Sequence, residues 1–198
     1  MSRVLIIGCG ALAVEITALK KANGWSGVDV QCLDAALHNR PERIAEQLER
    51  VLAERRYEYE KVVIAYADCG TRGGVDRVAA HFDAERLPGA HCYEFFATSE
   101  VFERLAESEP GTFYLTDFLA RHFDRLVIDD MKLDAHPELE NMLFGHYRKV
   151  VYLAQTVDAT LRHAARDAAD RLGLPLEIID TGYGLLADSL EAQVITIS

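Results

Sequence analysis

Short runs rich in apolar and β-branched residues alternate along this chain with longer stretches of helical periodicity, and that alternation leaves few architectures open. RVLIIG, VDVQCL, KVVIAYA, CYEFFA, TFYLT, KVVYLAQ, LEIID and VITIS read as strands. ALAVEITALKKANG places Leu12, Ile16 and Leu19 on one helical stripe and stops at Asn23-Gly24. RPERIAEQLERVLAERR carries Ile44, Leu48, Val51 and Leu52 on another, with Pro41 in its first turn. TVDATLRHAARDAADRLG predicts a third helix, capped by Thr156, with a stripe from Val157 through Leu161, Ala165 and Ala168 to Leu172, and closed by Gly173. DFLARHFDRLVIDD reads as helical, and MKLDAHPELENMLFGHY as a helical excursion or a lid. The expectation is one α/β domain over residues 1–198: three layers, a mostly parallel sheet with helices on both faces.

A parallel sheet lines up all its strand C-termini on one edge, where ligands bind at a switch in strand order. Cys9 follows the first run, His38 the second and Cys69 the third. His91 and Cys92 open the fourth run instead of following it, so a bend or an antiparallel strand is needed to bring them to the same edge.

Composition narrows the work done there. The 198 residues hold 21 Lys+Arg against 32 Asp+Glu, a net charge of −11 that repels nucleic acid unless the basic residues are segregated, and they are not. No run of eighteen apolar residues and no basic n-region before an apolar stretch is present, so the expectation is a cytoplasmic protein with no membrane partner. Four cysteines at wide spacing then point to reduced thiols or metal ligands.

Three chemistries compete for these loops. GCGALA (8–13) fits G-x-G-x-x-A after a strand and, with Asp34 near the end of the second run, suggests NAD binding and an oxidoreductase. DCGTRGG (68–74) offers backbone N–H groups from Gly70, Gly73 and Gly74 and the charge of Arg72 to a small anionic substrate; it lacks the Lys-Ser/Thr of a nucleotide-binding loop, and Asp68 opposes a phosphate. Cys9, Cys69 and Cys92 with His38 supply three sulfurs and a nitrogen, a common tetrahedral zinc set, and three cysteines also suit an iron–sulfur cluster. Cys32 alternates with Val28 and Val30 inside a strand and reads as a core residue. Each ligand also has a plainer reading: a turn residue at Cys9, small buried side chains at Cys69 and Cys92, a helix cap at His38. His81, His122 and His163 fall in charged helical stretches and read as solvated, while His136 and His146 flank the segment that reads as a lid. Around the thiols, Glu94 is the expected acid or base, and Arg72, His91, Asp117, Gln155 and Tyr183 are expected to orient a small polar or anionic substrate.

Taken in order, CGALA, LHNRPERI, YADCG, HCYEFF, GTFYLTDFLARHFD, HPELENMLFGHYRKVVYLAQT and LGLPLEIIDTGYG resemble the family named domain of unknown function 1638 over nearly the whole chain. Cys9, His38, Cys69, His91, Cys92 and Glu94 lie inside those segments and Cys32 does not. The resemblance carries no settled activity. It implies a setting in one-carbon metabolism beside corrinoid-dependent methyltransferases without fixing the reaction; the thiol set is compatible with either a metal-dependent methyl transferase acting on a small or corrinoid-linked substrate, or an accessory protein that holds a metal or cofactor for a corrinoid methyltransferase partner.

Overall fold

The computed structural model describes residues 3–195 and is built from parallel strands with helices packed around them. In chain order the elements are β1 (Val4–Cys9), α1 (Ala13–Ala22), β2 (Val28–Leu33), α2 (Glu42–Arg55), β3 (Lys61–Ala65), α3 (Gly74–His81), β4 (Glu85–Arg86), α4 (Glu94–Ala97), α5 (Ser99–Ser108), β5 (Thr112–Leu115), α6 (Asp117–Arg121), α7 (Glu138–Phe144), β6 (Lys149–Ala154), α8 (Ala159–Arg171), β7 (Leu176–Asp180) and α9 (Gly184–Ile195). Short 3-10 turns at Gly10–Leu12 and Ala35–Asn39 follow β1 and β2, and a π-helical stretch spans Asp124–Asp129. No helix among the described residues is long and apolar enough to cross a membrane.

The strands fall into two parallel sheets, ordered β2-β1-β3-β4 and β5-β6-β7. They belong to two compact units, one comprising the residues up to Phe95 with those from Leu185 onward, the other Phe96–Gly184. In the first unit β1 is central, in register with β2 from Val4↔Val28 to Cys9↔Leu33 and with β3 from Val4↔Lys61 to Gly8↔Ala65. Its strands read as continuous apolar runs because both faces are covered: Leu5, Ile6, Ile7, Val62, Val63 and Ile64 are all fully buried. Ile16, Ile44, Leu48, Leu52, Leu186 and Leu190 supply the helical side of that core. In the second unit Phe123, Val127, Ile128, Leu133 and Phe144 pack with Val150, Tyr152, Leu161 and Ala165.

Several elements depart from the sequence reading. CYEFFA is not extended: Glu94–Ala97 is a helical turn, and its successive buried residues Phe95, Phe96 and Ala97 gave an apolar run that periodicity cannot separate from a strand. Val194 and Ile195 of the VITIS run end α9, and residues 196–198 lie outside the described residues. The two-residue strand β4, Glu-Arg, has no apolar signal at all. α8 is capped by Asp158, whose carboxylate accepts from the Thr160 and Leu161 amides, while Thr156 donates instead to Asp117 and Val157 stands exposed ahead of the helix. Gly24 and Gly173 take the left-handed conformation that ends α1 and α8 as expected. The segment after β5 is helical in both halves.

Candidate metal centre

The order β2-β1-β3 changes direction at β1: the chain leaves β1 for a neighbour on one side and returns to pair on the other. The crevice beyond the C-terminal ends of β1 and β3 is therefore the natural ligand position of the first unit. All four expected ligands come from that edge. Cys9 is the last residue of β1, His38 lies in the 3-10 turn after β2, Cys69 in the loop after β3, and Cys92 in the loop after β4. The bend that Cys92 required does not arise, because the unforeseen strand β4 puts it after a strand end like the others.

Backbone pairing fixes the two cysteine loops to each other. The Asp68 amide donates to the Gly89 carbonyl (3.4 Å) and the Cys69 amide to the Ala90 carbonyl (3.2 Å). The Arg86 guanidinium reaches three carbonyls, at Tyr66 (3.4 Å), Leu87 (2.8 Å) and Gly89 (3.0 Å). Glu94 Oε1 accepts from the Ala90 and His91 amides, both at 2.9 Å, and so pins the turn that presents Cys92.

The outcome is a cluster of soft ligands. One ligand atom each of His38, Cys69 and Cys92 lies within 4.8 Å of the other two. Cys69 Sγ and Cys92 Sγ are 3.0 Å apart, with no disulfide between them. Cys9 Sγ stands 3.8 Å from His38 Nδ1 and 3.9 Å from Nε2, and accepts from the Ala11 amide at 3.3 Å as the cap of the turn after β1. His38 Nδ1 is 3.0 Å from the Ala35 carbonyl. A carbonyl only accepts, so Nδ1 carries the proton and Nε2 is the nitrogen left for a metal, the backbone-oriented arrangement usual for histidine ligands.

Charge in the cluster is strongly displaced. The Cys92 thiol donates to Cys69 and His38 adds its charge, which together outweigh burial and hold Cys69 down to about 4, a thiolate at neutral pH. Burial pushes the His38 imidazolium down, but hydrogen bonds to the Cys69 and Cys9 sulfurs prevail and carry it up to about 11. Cys92 is pushed far above an ordinary thiol by its bond to the Cys69 thiolate and by burial. His91 is shifted down chiefly by burial and shares the field of Cys69; its Nδ1 accepts from the Tyr93 amide at 3.4 Å.

Tyr66, which sequence reading missed, completes the lining. It is fully buried one residue beyond β3, its ring stacks on His38 at 6.2 Å between centroids with 15° between planes, and its hydroxyl makes no hydrogen bond of normal geometry. Burial first, and then the neighbouring Cys9, raise the phenol's pKa, so it stays protonated. The apolar stretch KVVIAYA drew attention to its strand character, and a tyrosine inside it carried no separate signal.

The glycine motifs have structural occupations. Asp68 fills the DCGTRGG loop with its own carboxylate: Oδ1 accepts from Thr71 Oγ1 (2.8 Å) and the Gly73 amide (2.7 Å), and Oδ2 from the Arg72 amide (3.2 Å). The amides expected to hold an external anion are thus already paired, and Arg72 is exposed. Cys69, Gly70, Arg72 and Gly73 all have positive φ, so this carboxylate braces a strained loop. In GCGALA, a Cβ at Gly10 would lie 2.8 Å from the Leu33 carbonyl oxygen and one at Gly8 2.6 Å from Ile16 Cδ1, so both glycines serve close packing. Asp34 caps the next turn through the Ala36 amide at 2.9 Å. Cys32 is half-buried under Gly8, outside the cluster, as its strand alternation implied.

Asp117, Gln155 and Tyr183 belong to the second unit. Asp117 is buried and accepts from Tyr152 Oη (2.6 Å), the Gln155 amide (3.0 Å) and Thr156 Oγ1, while its own amide donates to Gln155 Oε1 (2.7 Å). Tyr183 is half-buried in the turn between β7 and α9.

The chain matches the family described as protein of unknown function (DUF1638) over residues 32–190, which makes it a member of that family. No curated protein matches it.

Proposed function

We propose that this DUF1638 member binds a soft metal ion, zinc in the first instance, through His38 Nε2, Cys69 Sγ and Cys92 Sγ, and keeps the fourth position open for chemistry. The observation that carries the reading is the meeting of these three ligand atoms, within 4.8 Å of one another, beyond the switch point of a parallel sheet. A tetrahedral ion with Zn–S bonds of about 2.3 Å separates two sulfurs by about 3.8 Å, so Cys69 and Cys92 need to part by only about 0.8 Å from their 3.0 Å contact. A Cys2His set with a vacant fourth position suits catalysis better than a closed structural site. The same cysteines with Cys9 offer three thiolates to an iron–sulfur cluster, the second choice of cofactor.

Zinc bound by these residues would hold an added thiol as the nucleophilic thiolate at neutral pH. The one-carbon setting implied by the family resemblance gives that thiolate an electrophile: the methyl group of a corrinoid. A thiol held there would attack the methyl carbon, its sulfur forming the C–S bond as the Co–C bonding pair leaves on cobalt. An accessory role, in which the site holds metal or cofactor for a partner methyltransferase, uses the same ligands without turnover. Elemental analysis of protein purified without oxygen tests the metal. One equivalent in the native chain and in Cys32→Ser, lost in Cys69→Ser, supports the reading; metal-free native protein refutes it. Demethylation of methylcobalamin by a thiol in the presence of the protein separates a transferase from an accessory protein.

A further inference from the structure

Beside the three ligands lies a buried hydroxyl with no hydrogen bond of normal geometry. The Tyr66 hydroxyl is a hydrogen-bond donor sealed from solvent among the ligands, with its ring parallel to the His38 imidazole; the Cys9 sulfur is the nearest acceptor, and no bond of normal geometry forms to it. A buried donor without an acceptor is costly and persists where a ligand brings the acceptor. Cys9 is a poor candidate for the fourth metal ligand: its sulfur already caps the turn after β1 through the Ala11 amide and lies outside the set of three mutually close atoms. The Asp68 carboxylate likewise occupies the loop amides that would otherwise recruit an anion near Cys69. What remains is an open metal position beside a phenolic donor that has no hydrogen bond of normal geometry.

We propose that Tyr66 is a ligand-binding residue whose hydroxyl donates to the sulfur of a small exogenous thiol bound as thiolate at the fourth metal position. This rests on the metal reading above and adds to it the ligand class and the residue that selects it. A soft, sulfur-rich ion favours sulfur over oxygen at its remaining position. The thiol surrenders its proton to solvent on binding, and the thiolate so formed accepts from Tyr66, so the phenol stays neutral and needs no base.

The test uses the full chain loaded with Co(II), whose thiolate charge-transfer absorption reports each coordinated sulfur, titrated with 2-mercaptoethanol. The expected result is a saturable increase in that absorption for the native protein, and in Tyr66→Phe the same cobalt stoichiometry with thiol affinity weakened at least about tenfold, as for loss of a hydrogen bond to a charged acceptor. Equal thiol affinity in Tyr66→Phe overturns the inference and leaves the metal reading standing, as does a native cobalt spectrum that thiol does not change. Loss of cobalt from Tyr66→Phe overturns it too, since the phenol would then hold the site together and not the ligand. Native protein that takes up no cobalt removes both.

Discussion

Removing the Asp68 carboxylate should loosen the metal centre from outside its ligand set. Asp68→Ala deletes the acceptor of Thr71 Oγ1 and of the Arg72 and Gly73 amides. The same loop holds Cys69 at φ 46° and Arg72 at φ 54°, left-handed conformations that non-glycine residues populate at a cost of roughly 1 kcal/mol or more each. Hydrogen bonds to a charged acceptor contribute about 1.5–3 kcal/mol apiece when shielded. The loop is only part-buried, water replaces some of that, and a net loss of about 2 kcal/mol is expected. The loop then orders only on metal binding, so the loss appears as weakened affinity of about thirtyfold at about 1.4 kcal/mol per tenfold. Asp68→Asn, which keeps one acceptor oxygen, should fall between. Competition for zinc against a chromophoric chelator measures the affinities, with urea unfolding alongside. Wild-type affinity and stability in Asp68→Ala would refute the bracing role.

In the second unit, Asp117→Ala leaves Tyr152 Oη, the Gln155 amide and Thr156 Oγ1 without their acceptor, and should cost about 3–5 kcal/mol in urea unfolding; a loss under about 1 kcal/mol contradicts the network. Zinc binding at pH 7 should release about two protons, one from His38 held at about 11 and one from the raised Cys92 thiol, and none from Cys69, already ionised at about 4; affinity therefore rises with pH, and calorimetry in buffers of different ionisation enthalpy counts the protons. With Sγ atoms 3.0 Å apart, Cys69 and Cys92 in metal-free protein should be oxidised to a disulfide by diamide, which is reduced to the hydrazine, and bound zinc should block this; mass mapping that finds Cys32 in the bridge counts against the geometry.

The sequence made the thiol positions legible because loops after buried strands leave two strong signals: an apolar β-branched run, then small or polar residues. That placed Cys9, His38 and Cys69 at one edge and set Cys32 apart. Cys92 was harder, since β4 is two charged residues and YEFFA mimics a strand while forming a helical turn. Side-chain occupation was not legible at all. Nothing in DCGTRGG says that Asp68 folds back on its own amides, nor in GCGALA that the glycines are spent on Leu33 and Ile16, because both depend on which chain segment arrives nearby. Tyr66 and Arg86 escaped for the same reason: their roles lie in what surrounds them. The division of the strands into two sheets was equally hidden, as parallel strands look alike whichever sheet they join.

X-ray absorption at the zinc edge reads out a metal held by one histidine and two cysteines of the first unit. Native protein loaded with one equivalent of zinc should show two sulfur neighbours at about 2.3 Å and nitrogen or oxygen neighbours at about 2.0–2.1 Å, with the sulfur count dropping to one in Cys92→Ser. A shell of nitrogen and oxygen alone, or a sulfur count unchanged in Cys92→Ser, would contradict it.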